Sequence, residues 1–131
     1  GNTFIIWRGG VLEDFELLPY CVGDATVDEV AAVLDACWGG AETLVVISTD
    51  LSHYHRYEEA TRLDSRTAAA IVARRPDAVV DRDACGAYPL RGLLRVASER
   101  GMSVEQLDLR NSGDTAGDRQ RVVGYGAFAV V

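Results

Sequence analysis

The sequence predicts an α/β domain in which a mixed β-sheet is sandwiched by helices. Three observations carry this reading. Short β-prone apolar runs alternate along the chain with segments of helical period. The run at residues 43–48, TLVVIS, is almost continuously apolar and β-branched. That is the composition of a strand covered on both faces, as in a parallel or mixed sheet between helix layers. Finally, 131 residues with 48% hydrophobic and 25% charged side chains suffice for one domain and no more.

The elements follow in order. Thr3-Phe4-Ile5-Ile6-Trp7 is a short β-prone run closed by Arg8-Gly9-Gly10. A second apolar run, residues 15–22, ends at Gly23-Asp24 and reads as a buried strand. Thr26-Val27-Asp28-Glu29 spells a capping box, and Val27, Val30, Ala31, Leu34, Cys37 and Trp38 follow at helical spacing until Gly39-Gly40. After the 43–48 run comes the polar segment Asp50-Leu51-Ser52-His53-Tyr54-His55. A long helix is predicted over 56–75, with Tyr57, Ala60, Leu63, Thr67, Ala70 and Ile71 on one face and Pro76 as its stop. A further helix is predicted over 89–100, with Pro89 in its first turn and Gly101 beyond its end. The chain finishes with strands over 104–109 and 121–131, joined through a turn at Asn111-Ser112-Gly113-Asp114 and able to form a hairpin edge.

Charge narrows the function classes. Thirteen basic residues, all arginine, stand against 20 acidic ones, for a net charge of −7. An acidic chain without a basic cluster argues against nucleic acid or an anionic membrane as partner. No apolar run approaches the length needed to cross a bilayer. Arginine without lysine suggests a GC-rich bacterial genome. Cys21, Cys37 and Cys85 are odd in number and widely spaced, which points to a reducing, cytoplasmic compartment rather than a disulfide framework.

Strand-end loops are where open α/β sheets place ligands, and residues 48–55 are the most polar of them. His53 has the residue chemistry of a general base, with Asp50 to orient it or to bind a metal. The alternative is that Asp50 caps the next helix and His55 is solvated surface. A His53/His55 metal pair lacks a third ligand. Cys85, at a loop-to-helix junction, reads either as a nucleophile or metal ligand or as a small buried hydrophobe. Cys21 and Cys37 read as core packing. The segment 111–118 reads as a tight turn, since a calcium loop needs a closing glutamate and a phosphate loop needs a lysine and a following helix.

Four blocks then line up with a known family. Val45-Val46-Ile47-Ser48-Thr49-Asp50-Leu51-Ser52-His53-Tyr54 resembles the "SSDLSHY" signature of the Memo family, also called AmmeMemoRadiSam system protein B. Leu63-Asp64-Ser65-Arg66-Thr67 is similar to its next block. Asp83-Ala84-Cys85-Gly86 with Pro89 resembles its "CG..P" block. Asn111-Ser112-Gly113-Asp114 and Val122-Val123-Gly124-Tyr125-Gly126-Ala127 resemble its ending. The resemblance runs over residues 14–131, with 1–13 matching poorly.

Memo proteins resemble class III extradiol ring-cleavage dioxygenases, in which two histidines and a carboxylate hold a non-haem iron. The resemblance therefore implies a Memo-like partial domain with Cys85 as a metal ligand and His53, beside Asp50, as the acid/base group. It implies a non-haem metal, iron or copper, not tightly held by this chain alone. The family's "HAGY"-like and "GPNH"-like histidine motifs have no counterpart here, so the expectation is a single domain over residues 1–131 that corresponds to the family's C-terminal half. Two functions follow. One is a non-catalytic binding or accessory module with a vestigial dioxygenase-type cleft, whose partner is a peptide or a radical-SAM protein. The other is a metal-dependent oxidoreductase completed by histidines from another polypeptide. An incomplete sheet predicts a homo-oligomer or association with a missing N-terminal half, with residues 3–7 as the pairing strand. The carry-over also predicts that His53, Asp50 and Cys85 converge to within about 10 Å.

Overall fold

The computed structural model describes residues 2–8, 16–115 and 117–131. In chain order the elements are β1 (Asn2–Arg8), β2 (Glu16–Val22), α1 (Val27–Cys37), β3 (Thr43–Ile47), β4 (His53–His55), α2 (Tyr57–Val72), α3 (Ala87–Glu99), β5 (Val104–Asn111) and β6 (Val122–Val130), with short 3-10 turns at Pro76–Ala78, Asp81–Asp83 and Ser112–Asp114.

The α/β class is as the sequence predicts, with strands arranged in two three-stranded sheets of order β2-β1-β3 and β4-β6-β5. Every pairing among the described residues is antiparallel. The parallel neighbour that the 43–48 run suggests is not among them, and β3 is only partly covered: Thr43 is buried while Leu44 is 58% exposed. Residues 2–8 form the central strand of their sheet, so the open edges lie on β2 and β3 instead. The expected buried strand over 15–22 is an exposed edge; Leu17 and Leu18 face solvent. Pro19 explains the placement, because a residue without an N–H is tolerated on an edge and not in a sheet centre. Phe15 and the turn at Gly9-Gly10 lie outside the described residues.

The helices start and stop for local reasons. Thr26 accepts from the Glu29 N–H at 3.2 Å and Glu29 accepts from the Thr26 N–H at 2.8 Å, the capping box read from sequence. These same bonds hold the Glu29 carboxyl below its ordinary range. α2 ends at Val72, three residues short of the predicted stop. Arg74 takes φ +53, and the N–H groups of Arg74 and Arg75 bond back to the carbonyls of Ile71 and Ala70. Arginine thus occupies the left-handed closing position usually held by glycine. α3 ends the same way, but with Gly101 at φ +69 and Met102 bonded to Ala97.

α3 joins the layers because both of its faces are buried. Leu93 and Val96 pack with Val30, Ala31 and Leu34 of α1, while Ala87, Leu90 and Leu94 pack with Ile71 of α2, Leu51 and Val104. Each fully buried side chain of this size is worth about 1.5–3 kcal/mol. The α1–α3 contact is close enough to require a glycine: a Cβ on Gly92 would sit 2.3 Å from Val30 Cγ1 and 3.2 Å from the Ala31 amide nitrogen. Above α3 an apolar cleft of about 560 Å³ opens between β3 and β6, walled by Val45, Ile47, Leu51, Leu94, Phe128 and Val130.

Two outcomes follow from this packing. Gly92→Ala should lower stability by about 1–3 kcal/mol, as overpacking of a tight interface does, read as the shift in urea midpoint at unchanged slope; an unshifted midpoint would show that the helices can separate at no cost. The second outcome concerns the 3-10 turn at Ser112–Asp114. The Tyr57 hydroxyl, donating at 2.6 Å, and the Asn111 N–H, donating at 2.9 Å, hold the Asp114 carboxyl below its ordinary value of 3.8. A depressed folded value stabilises at pH above 3.8 and is lost as pH falls below it. On acidification the Tyr57 ring resonances should therefore change only below that point, and Asp114→Asn should abolish this acid change.

Candidate functional site

The site forms where the chain crosses from one sheet to the other. Residues 48–52 leave β3 and reach β6. The Leu51 N–H donates to the Gly124 carbonyl at 2.9 Å, and the Gly124 N–H donates to the Ser52 carbonyl at 2.8 Å. The Ser52 N–H donates to Asp64 Oδ1 at 2.9 Å. Both backbone polar groups of Ser52 are thus fixed, between Asp50 on one side and His53 on the other. Asp64 is a 2%-exposed carboxylate on α2, lying flat on the β6 backbone: a Cβ on Gly124 would meet its Oδ2 at 2.0 Å. The Ser52 hydroxyl is buried and has no hydrogen-bond partner among the described residues.

Cys85 arrives from the turn before α3. Its N–H donates to the Asp50 carbonyl at 3.2 Å, and its Sγ accepts from the Asp50 N–H at 3.1 Å, with the Thr49 hydroxyl 3.5 Å away. Thr49 Oγ1 also accepts from the Gly86 N–H at 2.7 Å. A Cβ on Gly86 would fall 2.5 Å from the Thr49 Cβ, so only glycine lets the two segments meet.

The three residues singled out in the sequence come together. One donor atom each from Asp50, His53 and Cys85 lies within 4.8 Å of the other two. Asp50 Oδ2 stands 3.5 Å from His53 Nε2, with both side chains part-exposed. Asp50 therefore neighbours the imidazole and does not cap α2, whose N-cap is Arg56 without a side-chain bond. His53 and His55 lie in β4 rather than in a loop, and His55 stands apart from the cluster, 3.3 Å from Glu59. Cys85 is exposed, which excludes its reading as a buried hydrophobe. Cys21 is also exposed, because it lies on the edge strand, whereas Cys37 is half-buried against the α1–α3 core with its sulfur 3.3 Å from the Tyr20 hydroxyl.

The donor set fits a transition-metal ion. Bonds of about 2.0–2.3 Å at tetrahedral angles put two donors of one ion about 3.3–3.8 Å apart, so the side chains would close by about 1 Å around it. Thiolate and imidazole suit iron, copper or zinc rather than magnesium or calcium.

A family model described as "Memo-like protein" matches residues 3–129. The chain belongs to the Memo family. The match reaches the N-terminal residues that the motifs alone left out. Among relatives, the chain is similar to a MEMO1 family protein of Methanosarcina acetivorans, 34% identical over 139 residues, which cover 97% of this chain and 51% of that protein. A Methanosarcina mazei relative is 32% identical over 89% of this chain and 48% of its own length. A third, from Methanococcoides burtonii, is 34% identical over the same shares. The chain spans about half the length of the curated relatives it matches. These three are archaeal, so the suggestion of a bacterial source rests on arginine usage alone. Among the described residues no helix is long and apolar enough to cross a membrane.

Thr49, Asp64 and Gly86 also build this candidate site; they stand inside the family blocks, but motif reading gave them no role. For Asp64 a signal existed: it falls in the middle of the α2 stripe formed by Ala60, Leu63, Thr67 and Ile71, where a carboxylate needs a reason. Asp64→Ala should cost about 1–3 kcal/mol, because it orphans the buried Ser52 N–H, and Asp64→Asn should recover most of that loss. Ser52→Ala, which removes only an unpartnered hydroxyl, should not destabilise. Chemical denaturation of the three variants checks the ordering, and equal losses for Asp64→Ala and Ser52→Ala would refute it.

Proposed function

We propose that this chain is a Memo-type module carrying one wall of a metal-centred, dioxygenase-like cleft, and that by itself it binds rather than catalyses. The observation that supports this is the convergence of Asp50, His53 and Cys85 donor atoms within 4.8 Å. In this reading Cys85 supplies a thiolate ligand, with the Asp50 N–H donating to the sulfur and orienting it. His53 takes or gives a proton at this site, with Asp50 Oδ2 3.5 Å from its Nε2 to orient the ring. A bound iron or copper ion supplies Lewis acidity or redox chemistry.

Catalytic metal sites commonly use about three strong protein ligands, and here the carboxylate also serves the histidine. The ion is therefore held weakly by this chain. The apolar cleft between β3 and β6 offers a second polypeptide a seat, whether a peptide, a radical-SAM protein, a second copy or the remaining half of a family-length protein. A second reading, an extradiol-type oxidoreductase completed by histidines from that polypeptide, is favoured by one observation: an acid/base pair stands beside the thiol ligand instead of elsewhere on the surface.

Cobalt(II) titration tests the proposal. A sulfur-to-cobalt charge-transfer band should appear, disappear on dialysis against chelator, be absent in Cys85→Ser, and weaken about 10–100-fold in affinity in His53→Ala. A band that persists in Cys85→Ser would move the ligand to Cys21 or Cys37 and end the proposal. About one iron, copper or zinc per chain after chelator dialysis would end the claim of weak holding. If a polypeptide bearing the family's histidine motifs, added in trans, tightens binding at least about tenfold, the oxidoreductase reading replaces the module reading.

A further inference from the structure

The segment that delivers Cys85 to the cluster has almost no regular structure. It runs from Val79 through the 3-10 turn at Asp81–Asp83 to the start of α3. Val79, Ala84 and Ala87 are buried along it, but apolar burial is non-directional and does not by itself fix where a turn stops. Polar attachments do. At one end Arg91 Nε donates to the Val79 carbonyl at 2.8 Å, and the guanidinium pairs with Asp81. At the other the Cys85 and Gly86 N–H groups reach the Asp50 carbonyl and the Thr49 hydroxyl. Between them stands Asp83, with a side chain only 4% exposed. A carboxylate at that depth is costly unless it is paired. Arg66 of α2 donates to its Oδ2, and the exposed Arg82 lies 3.7 Å from its Oδ1.

The position of Arg66 on α2 gives the pair its consequence. Asp64, in the same turn of the helix, accepts from the Ser52 N–H and so holds the peptide beside His53. Arg66 holds the residue two before Cys85. Thiol and imidazole reach the cluster on segments far apart in sequence, and one helical turn grips both. A charge-assisted guanidinium–carboxylate bond sets distance and direction together. We infer that Arg66 and Asp83 are a positioning pair, through which α2 sets the separation of Cys85 from His53. Neither residue is among the cluster's own donors. The inference rests on the proposal that thiol and imidazole serve one site, and it adds the helix that gauges the distance between them. A pair that served stability alone could be exchanged for neutral partners with no effect at the cluster.

Two readouts on the whole chain test this, one without metal. In chelator, the His53 ring and Cys85 β protons should show a nuclear Overhauser effect, since their donor atoms lie within 4.8 Å. The double variant Arg66→Met/Asp83→Asn removes both charges and leaves no buried ion unpaired. In it that effect should vanish, while the effects between Val30 and Gly92 at the α1–α3 contact persist. Arg66→Lys, which keeps the charge and a donor, should keep the His53–Cys85 effect. With cobalt(II), the affinity read at the sulfur charge-transfer band should fall about tenfold or more in the double variant, with Arg66→Lys closer to the parent chain. The inference is overturned if the parent chain shows no His53–Cys85 effect, or if the double variant retains it. It is also overturned if that effect is lost together with those at the α1–α3 contact, since the pair would then serve the fold as a whole, or if Arg66→Lys behaves as the double variant does. A parent chain that forms no sulfur–cobalt band ends the metal reading alone, because the metal-free proton effect still decides whether the pair positions Cys85.

Discussion

The clamp on Ser52 is the constraint on which the rest of the site depends. One residue has its carbonyl tied to β6 and its N–H tied to a buried carboxylate on α2. Three elements distant in sequence therefore meet at a single peptide unit. Asp50 and His53, on either side of that unit, inherit a fixed position, to which the Asp50 backbone bonds to Cys85 and the pairing of His53 with Val123 add. A backbone clamp suits this purpose because it leaves the functional side chains free to bind or titrate. It also explains Gly124: the Asp64 carboxylate and β6 approach so closely that no Cβ fits between them.

α3 performs the equivalent task for Cys85. The helix is anchored on two sides, by α1 through Leu93 and Val96 and by α2 and the second sheet through Leu90 and Leu94. The residues just before it, Cys85 and Gly86, are therefore pinned at the end of the most buried helix in the chain. Two glycines permit this: Gly92 allows α1 to close against α3, and Gly86 allows the thiol's turn to reach Thr49. The thiol and the imidazole thus belong to different structural bodies, joined through Thr49, Asp50 and Leu51.

Local signals were the most readable part of the sequence. The Thr26–Glu29 capping box is in place as written, because it involves four consecutive residues and no tertiary partner. Helix faces followed the 3.6-residue period for the same reason. What periodicity could not give was coverage. The apolar runs at 16–22 and 43–47 read as buried strands, yet β2 is an open edge and β3 is half-covered, since burial depends on what packs above a strand. The motif residues Asp50, His53 and Cys85 were legible from their types and from the family blocks. Thr49, Asp64 and Gly86 were not, because their roles lie in hydrogen bonds and close approaches across 12 to 37 residues. The left-handed Tyr54 was equally invisible, since nothing about a tyrosine in a β-prone context predicts a positive φ.

The segment that leaves β3 meets β6 at Leu51, Ser52 and Gly124, and this crossing shapes the rest of the surface. Beyond Gly124 the described part of β6 pairs only with β5, and β3 pairs only with β1. The facing edges therefore keep unpaired backbone groups on either side of an apolar cleft. Water can satisfy those edges, but it cannot satisfy the apolar walls, and Leu44 adds further exposed apolar surface at the rim. Such an edge is a template for another strand. Thr49 and Leu51 line that cleft, whereas Asp50 between them, His53 and Cys85 do not. The cleft and the cluster therefore share the connecting segment, and a change in the path of residues 49–51 alters both.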